Sequence, residues 1–194
     1  MKKYSLFLLL LLVALLNLPA QQVKFKPGQL QANLGIGLVP TYPADATITL
    51  VPPVSVSADV YLSPNLFLGA YVGYSEAKGE TTFVNAGITE QYHNATYLVG
   101  LRTGIQSNDL DGWRVYGGFL TGASLPKVTK TIEFLPGEIE RADDLPSFTR
   151  PTAPRSLVFS GFVGTRRYLN DHLSVYGELG FGISLVNLGI SFKF

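Results

Sequence analysis

Six ionisable side chains, Asp59, Arg102, Arg114, Arg166, Glu178 and Lys193, fall on one face of the alternating segments of this chain. Charges gathered on an enclosed face are costly unless they pair. Such a set forms either a conduction path or an ion-pair network that fills the space between the segments. Arg102 and Arg114 flank the polar stretch around 105–111 and are expected to face each other directly. Like charges in that position repel, so Asp59 or Glu178 is expected to reach across to them. A narrow interior leaves room for side chains alone, which favours the filling network over the path.

Ser75, Glu90 and His93 carry the residue types of a serine hydrolase acting on lipid, but nothing in their spacing brings a base to a nucleophile. Glu133, Glu138, Glu140, Asp143 and Asp144 lie in one connection, interleaved with Lys127, Lys130, Arg141, Arg150 and Arg155. Their spacing matches no cation loop, so no metal and no cofactor is expected. His172 sits in a short polar turn. Asn94-Ala95-Thr96 matches a glycosylation sequon but lies within an alternating segment, where the match is coincidental.

The elements that must position these residues alternate with period two. Leu30, Ala32, Leu34, Ile36 and Leu38 stand against Gln31, Asn33, Gly35 and Gly37. Val54 to Leu62 and Leu66 to Tyr74 repeat the pattern, with Ser55, Ser57, Asp59, Tyr61, Phe67, Gly69, Tyr71 and Gly73 opposite. Later segments place Ala95, Tyr97, Val99 and Leu101, then Trp113, Val115, Phe119 and Ala123, on the same apolar face. Leu157, Phe159, Gly161 and Val163, then Val175, Leu179, Phe181 and Ile183, and finally Leu188, Ile190, Phe192 and Phe194 continue it. The eight segments are each near the length of a tilted membrane-spanning strand. The second face is Gly, Ser, Tyr and a few charges, too small and too poor in Lys and Glu to be washed by solvent. It reads as the inside of a narrow closed barrel in which Gly makes room for Tyr.

Connections 63–65, 105–112 and 169–172 are short, while 40–53, 76–91 and 126–155 are long, and the two kinds alternate. That is the rhythm of inner turns and outer loops in membrane barrels. The seventh connection, near Leu185-Val186, is short where a long one is expected. Val128 to Phe134 and Gly87 to Ala95 alternate too, so strands are able to continue past the membrane and offer an edge to a partner. Trp113, Tyr74, Tyr92 and Tyr97 are placed as interfacial aromatics, with core filling as the competing role for Tyr97.

Only 15% of the residues are charged, below the roughly 25% of soluble domains, and the net charge of +1 implies no nucleic-acid partner. The absence of cysteine removes disulfides and thiol chemistry. Lys2 and Lys3, the apolar run Leu6 to Leu16, and Asn17-Leu18-Pro19-Ala20 follow the order of a secretory signal peptide over 1–20. The run is too short to span a bilayer as a helix. Residues 21–194 are then one exported all-β domain, an eight-stranded antiparallel up-and-down transmembrane barrel.

The final segment, Leu188-Gly189-Ile190-Ser191-Phe192-Lys193-Phe194, resembles the closing strand of bacterial outer-membrane barrels, which ends in alternating hydrophobics and a terminal aromatic. With eight strands the chain resembles the small OmpA/OmpX-type barrels, in the version found in Bacteroidota. The resemblance implies an outer-membrane location among lipid, and reading of Phe192 and Phe194 by the barrel-assembly machinery. The leading reading of the chain is a non-enzymatic role, structural or surface-interacting, with 76–91 and 126–155 either flexible loops or edges that engage an extracellular protein partner. A narrow channel for small solutes is the second reading and an outer-leaflet lipid-modifying enzyme the third. A soluble lipocalin-like carrier is a fourth, but its Gly-x-Trp opening is absent at Leu34-Gly35-Ile36-Gly37.

Overall fold

The computed structural model describes residues 24–41, 48–83, 88–134 and 155–194. The expected signal peptide, Gln21-Gln22, and Glu138, Glu140, Arg141, Asp143, Asp144 and Arg150 of the longest connection lie outside the described residues. The described residues form eight strands: β1 Leu30–Gly37, β2 Ile48–Tyr61, β3 Leu66–Phe83, β4 Ile88–Gln106, β5 Trp113–Phe134, β6 Ser156–Tyr168, β7 Leu173–Gly180 and β8 Val186–Lys193. Each pairs antiparallel with its neighbours, and β8 closes onto β1. The closing register sets Ala32 opposite Phe192 and Gln31 opposite Lys193.

Alternation governs which side chains face in. Leu34, Val56, Val72, Leu101 and Ile190 are exposed on the outer wall, while Asn33, Ser57, Tyr71, Arg102 and Ser191 are buried inside. Inner glycines make room for rings. A Cβ on Gly164 would lie 2.5 Å from the Tyr116 ring, and one on Gly189 would lie 2.6 Å from that of Tyr176. A side chain at either position would displace an aromatic that fills the interior.

Three strands run far beyond the rest: β3 has 18 residues, β4 19 and β5 22. Much of what the sequence suggested as loops, 76–83, 88–91 and 126–134, is paired strand. The connection 40–53 likewise gives its second half to β2, which is kinked by register shifts between Thr49 and Val54. For 88–91 and 128–134 the pairing is the continuation that their alternation allowed; 76–83 gave no such signal, because its residues are mostly polar or small on both faces. The outer face changes character along one registered line. Tyr74, Tyr97 and Leu125 stand side by side, and the next outward row is Glu76, Ala95 and Lys127. Below the line the wall is Leu, Val, Ile and Phe; above it Lys78, Glu80, His93, Thr129, Thr131 and Glu133 are exposed. Tyr97, with its ring 4.9 Å from that of Tyr74, belongs to the outer wall, not to the core. Tyr92 departs from the expected outer girdle: it lies above the line, and its hydroxyl bonds Glu90.

Two expected placements are corrected. Arg102 does not face Arg114; its β5 partner is Leu120, and Arg114 pairs with Arg166 of β6. The hairpin turns at Asp111-Gly112, whose φ values of 53° and 78° are those of a type I′ turn. The register therefore lies farther along the chain than a turn centred on the polar stretch would put it. Ile183 does not continue the outer face of β7. That strand ends at Gly180, and the 181–185 connection turns Ile183 and Ser184 into the barrel, both fully buried.

Candidate functional site

The interior is filled in layers. Phe25, Tyr61, Phe67, Tyr116 and Tyr168 form a floor near the short turns. Tyr71, Leu98, Leu120, Val158 and Ile183 form an upper apolar layer, and Phe162 packs against both. Between them lie the charges. The Arg102 guanidinium donates to the Glu178 carboxylate at 2.9 Å, lies 3.5 Å from the Asp59 carboxylate and stacks 4.3 Å over the Phe162 ring. Arg166 donates to the Asn33 and Gln31 side-chain oxygens, each at 3.1 Å, and lies 4.7 Å over the Tyr116 ring. The Asn33 amide donates to Asp59 at 2.8 Å, joining the two arginines through one carboxylate.

Four of the six expected residues, Asp59, Arg102, Arg166 and Glu178, thus share one network. Arg114 and Lys193 belong to the floor. They approach the Phe25 ring at 5.0 and 5.2 Å, and Arg114 donates to the Ser107 carbonyl at 3.0 Å. Arg114 and Arg166, although register partners, point their guanidinium groups at different acceptors and rings. Truncating one member of such a buried pair is far more disruptive than the pair is stabilising, because the partner keeps its charge. The cavity bounded by Tyr71, Arg102, Phe162, Glu178 and Gly182 measures about 10 Å3, scarcely room for one water.

Sequence reasoning overlooked the neutral members. Gln31 and Asn33 stood on the inner face of β1 but carried no charge to draw notice. Phe25 precedes the first strand and belongs to no alternating set, yet its ring lies 4.1 Å from Tyr61 and 5.9 Å from Tyr168. Ile183 is held by its neighbours: the Ser184 hydroxyl donates to the Val39 carbonyl at 2.7 Å, and the Leu185 amide donates to the same carbonyl at 2.9 Å.

The hydrolase-like set is not assembled. Ser75 faces inward on β3, whereas His93 faces outward on β4 and bonds Glu76. Glu90 pairs with Lys130 and Tyr92. Among the described residues no three of His, Asp or Glu cluster as metal ligands. Hydrogen bonds from Tyr74 and His93 hold the Glu76 carboxyl below the usual range. Burial raises that of Glu90, but hydrogen bonds from Lys130 and Tyr92 outweigh it and leave the group lowered. Phe192 and Phe194 project from the outer wall, and the Phe194 amide donates to the Leu30 carbonyl at 2.9 Å.

No protein-family model matches the chain, and no curated protein does. Among solved structures, the outer membrane protein OprG from Pseudomonas aeruginosa is similar over 88% of this chain and 98% of its own, with a TM-score of 0.58 and 10% identity. The N-terminal β-barrel domain of Pseudomonas aeruginosa OprF aligns over 88% of this chain and 100% of its own, with a TM-score of 0.49 and 11% identity. Ail, the attachment invasion locus protein of Yersinia pestis, aligns over 87% and 99%, with a TM-score of 0.47 and 7% identity. The chain has the fold of a transmembrane β-barrel. At these identities the likeness is one of fold, and it rests on OprG.

Proposed function

We propose that this chain is a bacterial outer-membrane protein whose barrel is a closed anchor and whose role is surface interaction through the extension of β3, β4 and β5. The observation that carries the reading is the registered change of the outer face at Tyr74, Tyr97 and Leu125. Below that line the Leu66–Tyr74 stretch approaches the roughly 9–11 residues a tilted strand needs to cross a bilayer. Above it the same three strands continue with a charged and threonine-rich outer surface. The layered interior supports an anchor over a solute channel, since ion pairs and rings occupy the space a path would need. Phe192 and Phe194, at the end of the strand that closes the barrel, suit recognition by the assembly machinery during insertion.

The protein refolded into vesicles tests this. The expected result is a gel band that shifts on boiling, cysteine introduced at Thr129 labelled by an impermeant reagent from one side only, and no step conductance in a planar bilayer. Discrete conductance steps would overturn the closed-anchor reading in favour of a channel. Extraction of the protein in the soluble fraction would overturn the membrane reading.

A further inference from the structure

The outer wall of the barrel carries two apolar grooves side by side. The first, about 820 Å3, has the backbone of Gly104, Gly117 and Gly118 as its floor and Leu66, Ile105 and Phe119 as its walls. The second, about 400 Å3, lies over Gly164 and Gly177 and is bounded by Leu179, Val186 and Leu188. Val115 and Val163 line both, so they form the ridge between them. Volumes of this order are those of binding sites.

The grooves are overwhelmingly apolar, and the polar side chains at their margins are engaged elsewhere: Gln106 donates to the Pro64 carbonyl, the Ser107 hydroxyl accepts from the Val115 amide, and Glu178 accepts from Arg102. The Thr103 hydroxyl donates to the Phe67 carbonyl at 3.0 Å, and the Thr165 hydroxyl is turned to the Arg114 carbonyl at 3.4 Å. Neighbours do not require the emptiness at Gly177, where an added Cβ would meet only Leu188, at 3.5 Å. The next outward pair along the ridge, toward the short turns, is Trp113 and Arg167, whose guanidinium lies 5.1 Å from the indole ring.

We infer that these paired grooves seat one two-chain phospholipid, an acyl chain on each side of the Val115–Val163 ridge and the phosphate toward Trp113 and Arg167. The inference rests on the membrane reading above, which puts hydrocarbon against this wall. Two grooves flanking one ridge match two chains on one headgroup. The predominantly apolar lining suits hydrocarbon, and a cation beside an interfacial indole at the ridge's end suits an anionic group between aqueous and apolar phases.

Native mass spectrometry of the refolded barrel in detergent, titrated with dioleoylphosphatidylglycerol, tests it. One adduct is expected to persist under activation that strips the others. The single-chain lysophosphatidylglycerol and the phosphate-free dioleoylglycerol are each expected to bind about tenfold more weakly. Gly177→Leu places a side chain into one groove from a position where its Cβ meets only Leu188 and should lower retention about tenfold, whereas Ala32→Leu on the opposite wall should leave it unchanged. A wild-type barrel that holds no persistent adduct, or a Gly177→Leu barrel that keeps it, overturns the inference. A dimer abolished by Gly177→Leu would overturn it too, giving the grooves to a second copy of the chain. Heat-shifted mobility and insertion into vesicles are scored on the same samples. Loss of those would be a failure of the membrane reading, and their retention without an adduct a failure of the lipid seat alone.

Discussion

Below Tyr74, Tyr97 and Leu125, strands β3, β4 and β5 belong to a barrel; above that row they are an extension of the same three strands in unbroken register. The hydrogen-bond ladder does not change at the row, and neither does the alternation of side chains. What changes is the medium the outer face is built for. Backbone pairing alone therefore does not decide where a barrel ends; outward chemistry does. The inner face changes as well, from layered rings and ion pairs that fill a closed space to one small cluster across β4 and β5, in which a buried Glu90 is held by Tyr92 and Lys130.

The comparison breaks most sharply at the buried ion layer. Glu178→Gln leaves the Arg102 charge without its 2.9 Å partner. The expected loss is about 3–5 kcal/mol, read from denaturant unfolding in vesicles, with no gain in conductance. A large conductance at unchanged stability would show that the layer is a gate. Next comes the outer wall. Val72→Arg, at membrane depth, is expected to cost about 2–4 kcal/mol, whereas Gln91→Arg on the extension should stay within about 0.5 kcal/mol of wild type. Equal costs at the two positions would erase the boundary.

A smaller effect is expected where the inner face meets the 181–185 connection. A Cβ on Gly73 would lie 2.7 Å from that of Ile183. Gly73→Ala should cost about 1–3 kcal/mol through overpacking and raise amide exchange at Ile183, which donates to the Tyr71 hydroxyl at 3.4 Å. The smallest effect concerns Glu90. Its carboxyl is lowered in the folded chain, so its contribution is complete above the ordinary carboxylate value and is lost as pH falls through the lowered one. Acidification should loosen the extension before the belt, as read by exchange of β4 amides near Glu90. Glu90→Gln should remove that dependence.

The sequence made the belt legible because membrane and lumen impose opposite demands on alternate residues; in Leu30 to Leu38, Val54 to Leu62, Leu66 to Tyr74 and Ala95 to Leu101 the facings could be read. The extension was legible only in part: Val128 to Phe134 and Gly87 to Ala95 alternate, but 76–83 is mostly polar or small on both faces, so there only the backbone keeps the period. The partner of Arg114 escaped because the polar stretch 107–112 does not announce where its chain reverses; Asp111-Gly112 does. Ile183 escaped for the opposite reason, an apolar alternation that runs on past the end of its strand. Of the interior network, charged members stood out as costly groups, whereas Asn33, Gln31 and Phe25 carried no such mark.

The closure of β8 onto β1 also sets an order of events. Gln31 meets Lys193, so one of the first residues of the barrel completes its pairing with one of the last. Until β8 arrives, β1 presents an open edge, and an open edge invites pairing with another chain. Closing that edge joins the two most distant stretches of the barrel in the chain, and the cost of closing a loop grows with its length. A chain shortened by its final strand would have two such edges and no means of hiding either.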